Sequence, residues 1–204
     1  IDTMNKILYK NNIVNIDEVA NYINNTLLKK PIIIVGMMGV GKSAIGRMLA
    51  RSLNREFYDI DENIEKKYNM KISEIFENFG EQKFRDIEHE VIKGINKGSN
   101  YIIAAGGGAF IYERNINIFN KIGLTLWLNP SPLIIIERLK KNTNNRPLLK
   151  EVNLEPYIKN LLIKRNPFYA KAHLTITSSK VSKNKMKNNI LLKIQKYLMD
   201  NKND

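Results

Sequence analysis

Cysteine is absent from all 204 residues, which excludes a disulfide framework, a thiolate zinc site and a cysteine nucleophile together. With two histidines, a His-rich metal centre has almost no material. Long hydrophobic runs are missing as well. The longest, residues 31–40, contains two glycines and is about half the length of a bilayer-spanning helix. No apolar stretch followed by a small-residue cleavage site opens the chain, so no secretory signal is expected and the sequence reads as cytoplasmic. Acid is the scarcer charge, with 20 Asp+Glu against 33 Lys+Arg and a formal net charge of +13. That excess suits polyanionic ligands in general. Much of it is Lys dispersed in Asn/Lys/Ile-rich sequence, as in residues 180–189. No nucleic-acid-reading motif accompanies it, so specific nucleic-acid binding is not expected, and neither is membrane binding.

What is present is the make-up of a folded domain: 43% hydrophobic and 26% charged residues, in a chain long enough to bury roughly 70% of its unfolded surface. Neither a repeat nor a Pro/Gly/Ser linker divides it. Residues 1–30 read as an N-terminal helical extension, with Asn15 as cap, Glu18 three residues on, and Ile16, Val19, Ile23 and Leu27 at helical spacing. Residues 31–200 read as a single domain in which strands and helices alternate. Strands are predicted at 32–35, 56–60, 101–105, 124–128 and 174–177. Helices are predicted at 44–53, 61–68, 73–79 (Ser73 capping, Gly80 stopping), 83–96, 131–140, 154–165 and 181–199. No element is predicted between Gly108 and Leu124. Residues 140–153, rich in Asn and Lys, read as a mobile loop. The alternation implies an α/β fold: about five parallel strands with helices on both faces.

Gly36-Met-Met-Gly39-Val40-Gly41-Lys42-Ser43 spells GxxxxGK[ST] between a buried strand and an amphipathic helix. Glycines let successive backbone N–H groups curl around phosphate oxygens, and the helix start adds free N–H groups and a positive dipole end. The Lys42 ammonium suits the β- and γ-phosphates, and the Ser43 hydroxyl suits Mg²⁺. A nucleoside triphosphate is the implied ligand. The phosphoryl acceptor is not specified by this loop.

Four weaker signals follow. Asp59 and Asp61 end the second predicted strand, where alternation sends both carboxylates to one side; an ordinary helix cap accounts for such a pair about as well. Arg85 opens a helix, where a lone Arg is normally a solvated charge. Gly106-Gly107-Gly108 removes side chains where a ligand could meet backbone N–H groups. Arg146 lies in the mobile loop, and Arg165 ends a helix. His89 reads as part of a solvated face, His173 has no visible ligand partner, and Trp127, Met48 and Met70 read as core. The basic C-terminal helix is expected to pack its apolar side onto the sheet.

Taken in order, GMMGVGKSAIGRMLA, FYDID, IFENFGEQKFRDIE, AAGGGAF, RPLL and RNPFYAKA resemble shikimate kinase over about residues 31–179. The resemblance implies a P-loop kinase of the nucleoside monophosphate kinase type, with a five-stranded parallel sheet and a mobile lid at about 140–153. It implies transfer of phosphate from ATP to the 3-hydroxyl of shikimate, with Mg²⁺, by a monomer. By the same resemblance Gly39, Val40, Gly41, Lys42, Ser43 and Ala44 wrap the ATP phosphates, and Ser43 and Asp59 serve the metal. Asp61 binds the substrate hydroxyls and activates the attacking one. Arg85 and Arg165 hold the shikimate carboxylate, Gly107 donates backbone N–H to the substrate, and Arg146 comes onto the phosphates with the lid. Another small-metabolite kinase, such as a gluconate kinase, is the alternative; a basic nucleic-acid-binding ATPase is a more distant one.

Overall fold

The computed structural model describes residues 15–96, 98–141, 153–178 and 182–201. The apolar run after Pro31 forms strand β1 (Ile32–Val35), all four residues of which are shut off from water. Such a continuous β-branched run belongs in a sheet covered on both faces. β1 pairs with β3 (Tyr101–Ala104) on one side and β4 (Leu124–Pro130) on the other. β2 (Glu56–Asp59) and β5 (Leu174–Ser178) form the edges, so the order is β2-β3-β1-β4-β5 with every pairing parallel. The chain leaves β1 toward one edge, returns beside it as β3, and then crosses to the other side. Ligands of open α/β sheets sit beyond the strand C-termini at such a reversal.

Helices connect these strands: α1 (Ile16–Leu27) before β1, then α2 (Lys42–Ser52), α3 (Ile60–Tyr68), α4 (Ile72–Lys93), α5 (Glu113–Ile122), α6 (Pro132–Lys141), α7 (Leu154–Tyr169) and α8 (Lys183–Asp200). α1 starts at the expected cap, with the Asn15 side chain accepting from Asp17 N at 3.0 Å and its amide donating to Glu18 at 3.1 Å. Val19, Ala20, Ile23 and Leu27 bury one face of α1, which packs on α8; α8 in turn lies on β5 and α2. Arg55, only 7% exposed, ties the exit of α1 to the sheet. Its guanidinium donates to Lys30 O (2.7 Å), Leu28 O (3.2 Å) and Asn24 Oδ1 (2.9 Å), and burial depresses its pKa.

Several boundaries differ from those read in the sequence. α5 was not anticipated; it forms where Ile116, Phe119 and Ile122 bury a stripe against the core. The region read as helices 73–79 and 83–96 is α4, one run to Lys93 broken at Gly80, whose φ of 78° and ψ of 170° are not helical. Its N-cap is Lys71 rather than Ser73, with Lys71 N donating to Glu74 at 2.6 Å. α7 continues past 165 to Tyr169 through Pro167: Pro forfeits one backbone bond, and the fully buried Tyr169 holds the last turn in place. Lys140 and Lys141 end α6 instead of opening a loop; residues 142–152 of the expected lid, Arg146 among them, lie outside the described residues. Trp127 is buried and Met70 packs on the core, but Met48 is not part of it. His89 is no bare surface residue, since its Nδ1 lies 2.7 Å from Oδ1 of the buried Asn115. His173 Nδ1 accepts from Thr125 N at 3.1 Å and bridges β5 to β4.

Candidate functional site

The loop between β1 and α2 carries the first half of the site. Gly36, Gly39 and Gly41 have φ of 136°, 79° and 94°, a left-handed region open to glycine at little cost. α2 begins at Gly41 with no side-chain cap, so its leading N–H groups face the loop opening and form an anion cradle. Lys42 folds back over the loop, donating from Nζ to Gly36 O at 2.9 Å and Met37 O at 3.0 Å. The Ser43 hydroxyl donates to Asp59 Oδ2 at 2.7 Å. Asp59 also caps α3, its Oδ1 accepting from Asp61 N at 3.1 Å, so the capping and site-building readings of this residue hold together.

The triple-glycine turn after β3 carries the second half, and at all three glycines close approach rather than backbone conformation leaves little room for a side chain. A Cβ on Gly106 would stand 2.6 Å from Glu88 Oε1 and 2.8 Å from Asp61 Oδ1. One on Gly107 would stand 3.1 Å from Met38 N of the phosphate loop, and one on Gly108 would stand 2.5 Å from the Arg85 guanidinium. The turn is therefore wedged between the phosphate loop and the face of α4 that bears Arg85. Arg165 arrives from α7, its Nη1 donating to Gly107 O at 3.2 Å and approaching Met37 Sδ at 4.0 Å. The backbone carbonyl of the same Met37 takes Lys42. Lys42 thus sits on the phosphate-loop backbone at residues 36–37, and Arg165 and Arg85 on the adjoining triple-glycine turn at Gly107 and Gly108.

Arg85 is largely buried, paired with Glu88 at 2.9 Å and Glu81 at 3.2 Å, with its guanidinium 4.9 Å from the Phe84 ring centre. Burial works against its charge, but Glu88 and Glu81 outweigh burial and its pKa is raised. Glu88 is fully buried. Burial pushes its carboxyl pKa up although Arg85 pulls the other way. The Asp61 pKa is likewise raised, first by burial and then by Asp59, with Lys42 and Arg85 opposing. Asp61 lies in the first turn of α3 rather than on an extended strand, so the helix start, not strand alternation, brings it beside Asp59. Asp61 Oδ1 and Glu88 Oε1 are buried without a hydrogen-bond partner. Their distances from the one Gly106 position keep them within 2.6 Å plus 2.8 Å of each other.

Of the residues singled out in the sequence, the structure brings together the 39–44 loop, Asp59, Asp61, Arg85, Gly107 and Arg165; Arg146 lies outside the described residues. Glu88 was missed, although its spacing three residues after Arg85 was available as a signal. Arg138 was missed as well: from α6 its Nη1 donates to Val40 O at 2.7 Å and lies 3.5 Å from where a Gly41 Cβ would be, a cation on the phosphate loop. Tyr169, whose hydroxyl donates to Gly107 O, is the third. No helix among the described residues is long and apolar enough to cross a membrane.

Comparison with known proteins places relatives around this geometry. The family model described as shikimate kinase matches residues 38–195. A shikimate kinase of Bartonella quintana (strain Toulouse) is 38% identical over 93% of this chain and 90% of its own length. One of Thermodesulfovibrio yellowstonii is 47% identical over 72% of this chain and 84% of its own. Among solved structures, a shikimate kinase from Acinetobacter baumannii in complex with shikimate superposes with a TM-score of 0.77 at 32% identity, covering 89% of this chain and 99% of that one. A gluconokinase from Sinorhizobium meliloti 1021 shares the fold at 12% identity and a TM-score of 0.57.

Proposed function

Because the chain belongs to the shikimate kinase family, we propose that it transfers the γ-phosphoryl group of ATP to the 3-hydroxyl of shikimate, giving shikimate 3-phosphate and ADP. The observation that carries this reading is the wedge of Gly106–Gly108 between the phosphate loop and two guanidinium groups. Such an arrangement holds a triphosphate on one side and a carboxylate on the other.

Phosphoryl transfer leaves little covalent work for the protein beyond positioning and charge stabilisation. The loop 39–44 takes the phosphates on backbone N–H groups, and Lys42 exchanges its loop carbonyls for phosphate oxygens. Ser43 and Asp59 present a hydroxyl and a carboxylate to each other, hard oxygen donors suited to Mg²⁺, which keeps several waters and asks for few protein ligands. When bound there, the ion would neutralise charge between the β- and γ-phosphates. Arg85 and Arg165 grip the shikimate carboxylate; a planar fork pairs both oxygens. Glu81, with its side chain 63% exposed, yields its place on Arg85 to that carboxylate, whereas the buried Glu88 stays. Asp61 accepts from the hydroxyl to be phosphorylated, orienting its oxygen and taking its proton. Gly107 offers backbone to the substrate, and Arg146 adds charge to the transferring group.

Phosphorus NMR of the product tests the assignment. With ATP, Mg²⁺ and shikimate, a phosphate monoester should form on the 3-hydroxyl, and gluconate in its place should yield none. Equal phosphorylation of both acids would overturn the assignment.

A further inference from the structure

The Gly107 carbonyl accepts from two side chains at once, Arg165 Nη1 at 3.2 Å and the Tyr169 hydroxyl. The two donors stand four residues apart on α7, on one helix face, and a carbonyl with two lone pairs accommodates both. Tyr169 is wholly buried, its ring 6.0 Å from that of Trp127. Burial raises its phenol pKa, Arg165 opposing, so the hydroxyl stays a donor. The claims on Arg165 conflict: it serves the Gly107 carbonyl here, and the reading above gives it to a carboxylate. As Nη1 turns to the carboxylate, that carbonyl loses one of its partners in a partly buried position, where an unpaired acceptor still costs free energy.

We propose that Tyr169 is a positioning residue for shikimate: its hydroxyl retains the Gly107 carbonyl while Arg165 leaves for the substrate, keeping the triple-glycine turn in place. This rests on the function proposed above. Without the hydroxyl, Arg165 is the carbonyl's remaining side-chain partner and is held back from the substrate. The free protein is little changed, and the cost falls on the shikimate complex.

Titration calorimetry with shikimate on the full chain, paired with KM for ATP and a thermal melt, tests this in Tyr169→Phe. The variant keeps the ring and its packing. Shikimate binding should weaken roughly tenfold, the low end of the loss expected when binding strands a carbonyl that is only partly buried, while KM for ATP and the melting temperature stay near wild type. In an Arg165→Ala background the same change should leave shikimate affinity where it was, since no guanidinium has to leave. Unchanged affinity in Tyr169→Phe, beside a wild type that binds shikimate, overturns this proposal and leaves the function standing. A collapsed melt with both substrates weakened overturns it too, by making the contact structural, as does an equal loss in the Arg165→Ala background. A wild type that does not bind shikimate overturns both readings.

Discussion

Gly106 shows how much of the site depends on a missing side chain. A methyl group there meets the carboxylate ends of Glu88 and Asp61 at 2.6 and 2.8 Å. These are movable tips rather than backbone, so the fold should survive while the Asp61 and Glu88 carboxyl groups are displaced. Gly106→Ala is expected to melt near wild type and to lose on the order of 10²-fold in turnover, the scale of an ångström-sized misplacement at a reacting centre; a coupled assay beside a melt checks it. Glu88 gives a prediction in pH. Burial raises its folded-state pKa above the unfolded value, so its contribution to stability is full below the ordinary glutamate range and is lost as pH rises through the raised value. Melts of Glu88→Gln should lack that loss, and the variant should gain on wild type as pH rises above the ordinary glutamate range. A gap that stays constant or widens against the variant would contradict the sign. Lys42 and Ser43 could be read in the sequence because the loop spells its own backbone chemistry. Glu88 was not read, despite its spacing three residues after Arg85, because an acid on a helix reads as solvated until the turn after β3 covers it.

At the scale of elements, Gly80 breaks α4 with φ 78° and ψ 170°, a region essentially reserved for glycine, while nothing lies within 4 Å of its would-be Cβ. Backbone strain is therefore isolated from packing. Gly80→Ala should destabilise by about 1–3 kcal/mol, with a fall of roughly 2–4 °C in melting temperature for each kcal/mol, measurable by calorimetry. An unshifted melt would mean that the break is not needed. The same glycine was legible in the sequence as a stop, because composition alone marks it. α5 was not legible: Asn115-Ile-Asn117-Ile-Phe119-Asn120 mixes weak helix formers with a near-alternating pattern that mimics a strand. Tertiary burial of Ile116, Phe119 and Ile122, with buried Asn115 donating to Ala109 O at 3.0 Å, decides the matter. α7 ran past its expected end for a related reason, since a buried tyrosine outweighed a proline.

Across the whole molecule, the sheet order puts the two glycine turns side by side at the C-terminal ends of β1 and β3, and α1 is fastened to the far side of the same domain through Arg55. The guanidinium there serves two α1-exit carbonyls and Asn24. Each hydrogen bond to a charged group contributes about 1.5–3 kcal/mol, partly offset by the cost of burying the charge. Arg55→Ala should lower the melting temperature by several degrees, at roughly 2–4 °C per kcal/mol, with turnover unchanged, since Arg55 touches no residue of the site. Calorimetry with a parallel assay distinguishes this from a catalytic effect. The strand alternation and the ordered motifs made the overall plan readable, while the fastening of α1 required a side chain reaching some thirty positions back along the chain. The central claim is that triphosphate and acidic substrate meet across the wedge of Gly106–Gly108, and steady-state ADP formation with ATP and Mg²⁺, in the presence and absence of shikimate, tests it most directly. ADP should form rapidly only when shikimate is supplied; an ADP rate indifferent to shikimate would contradict it.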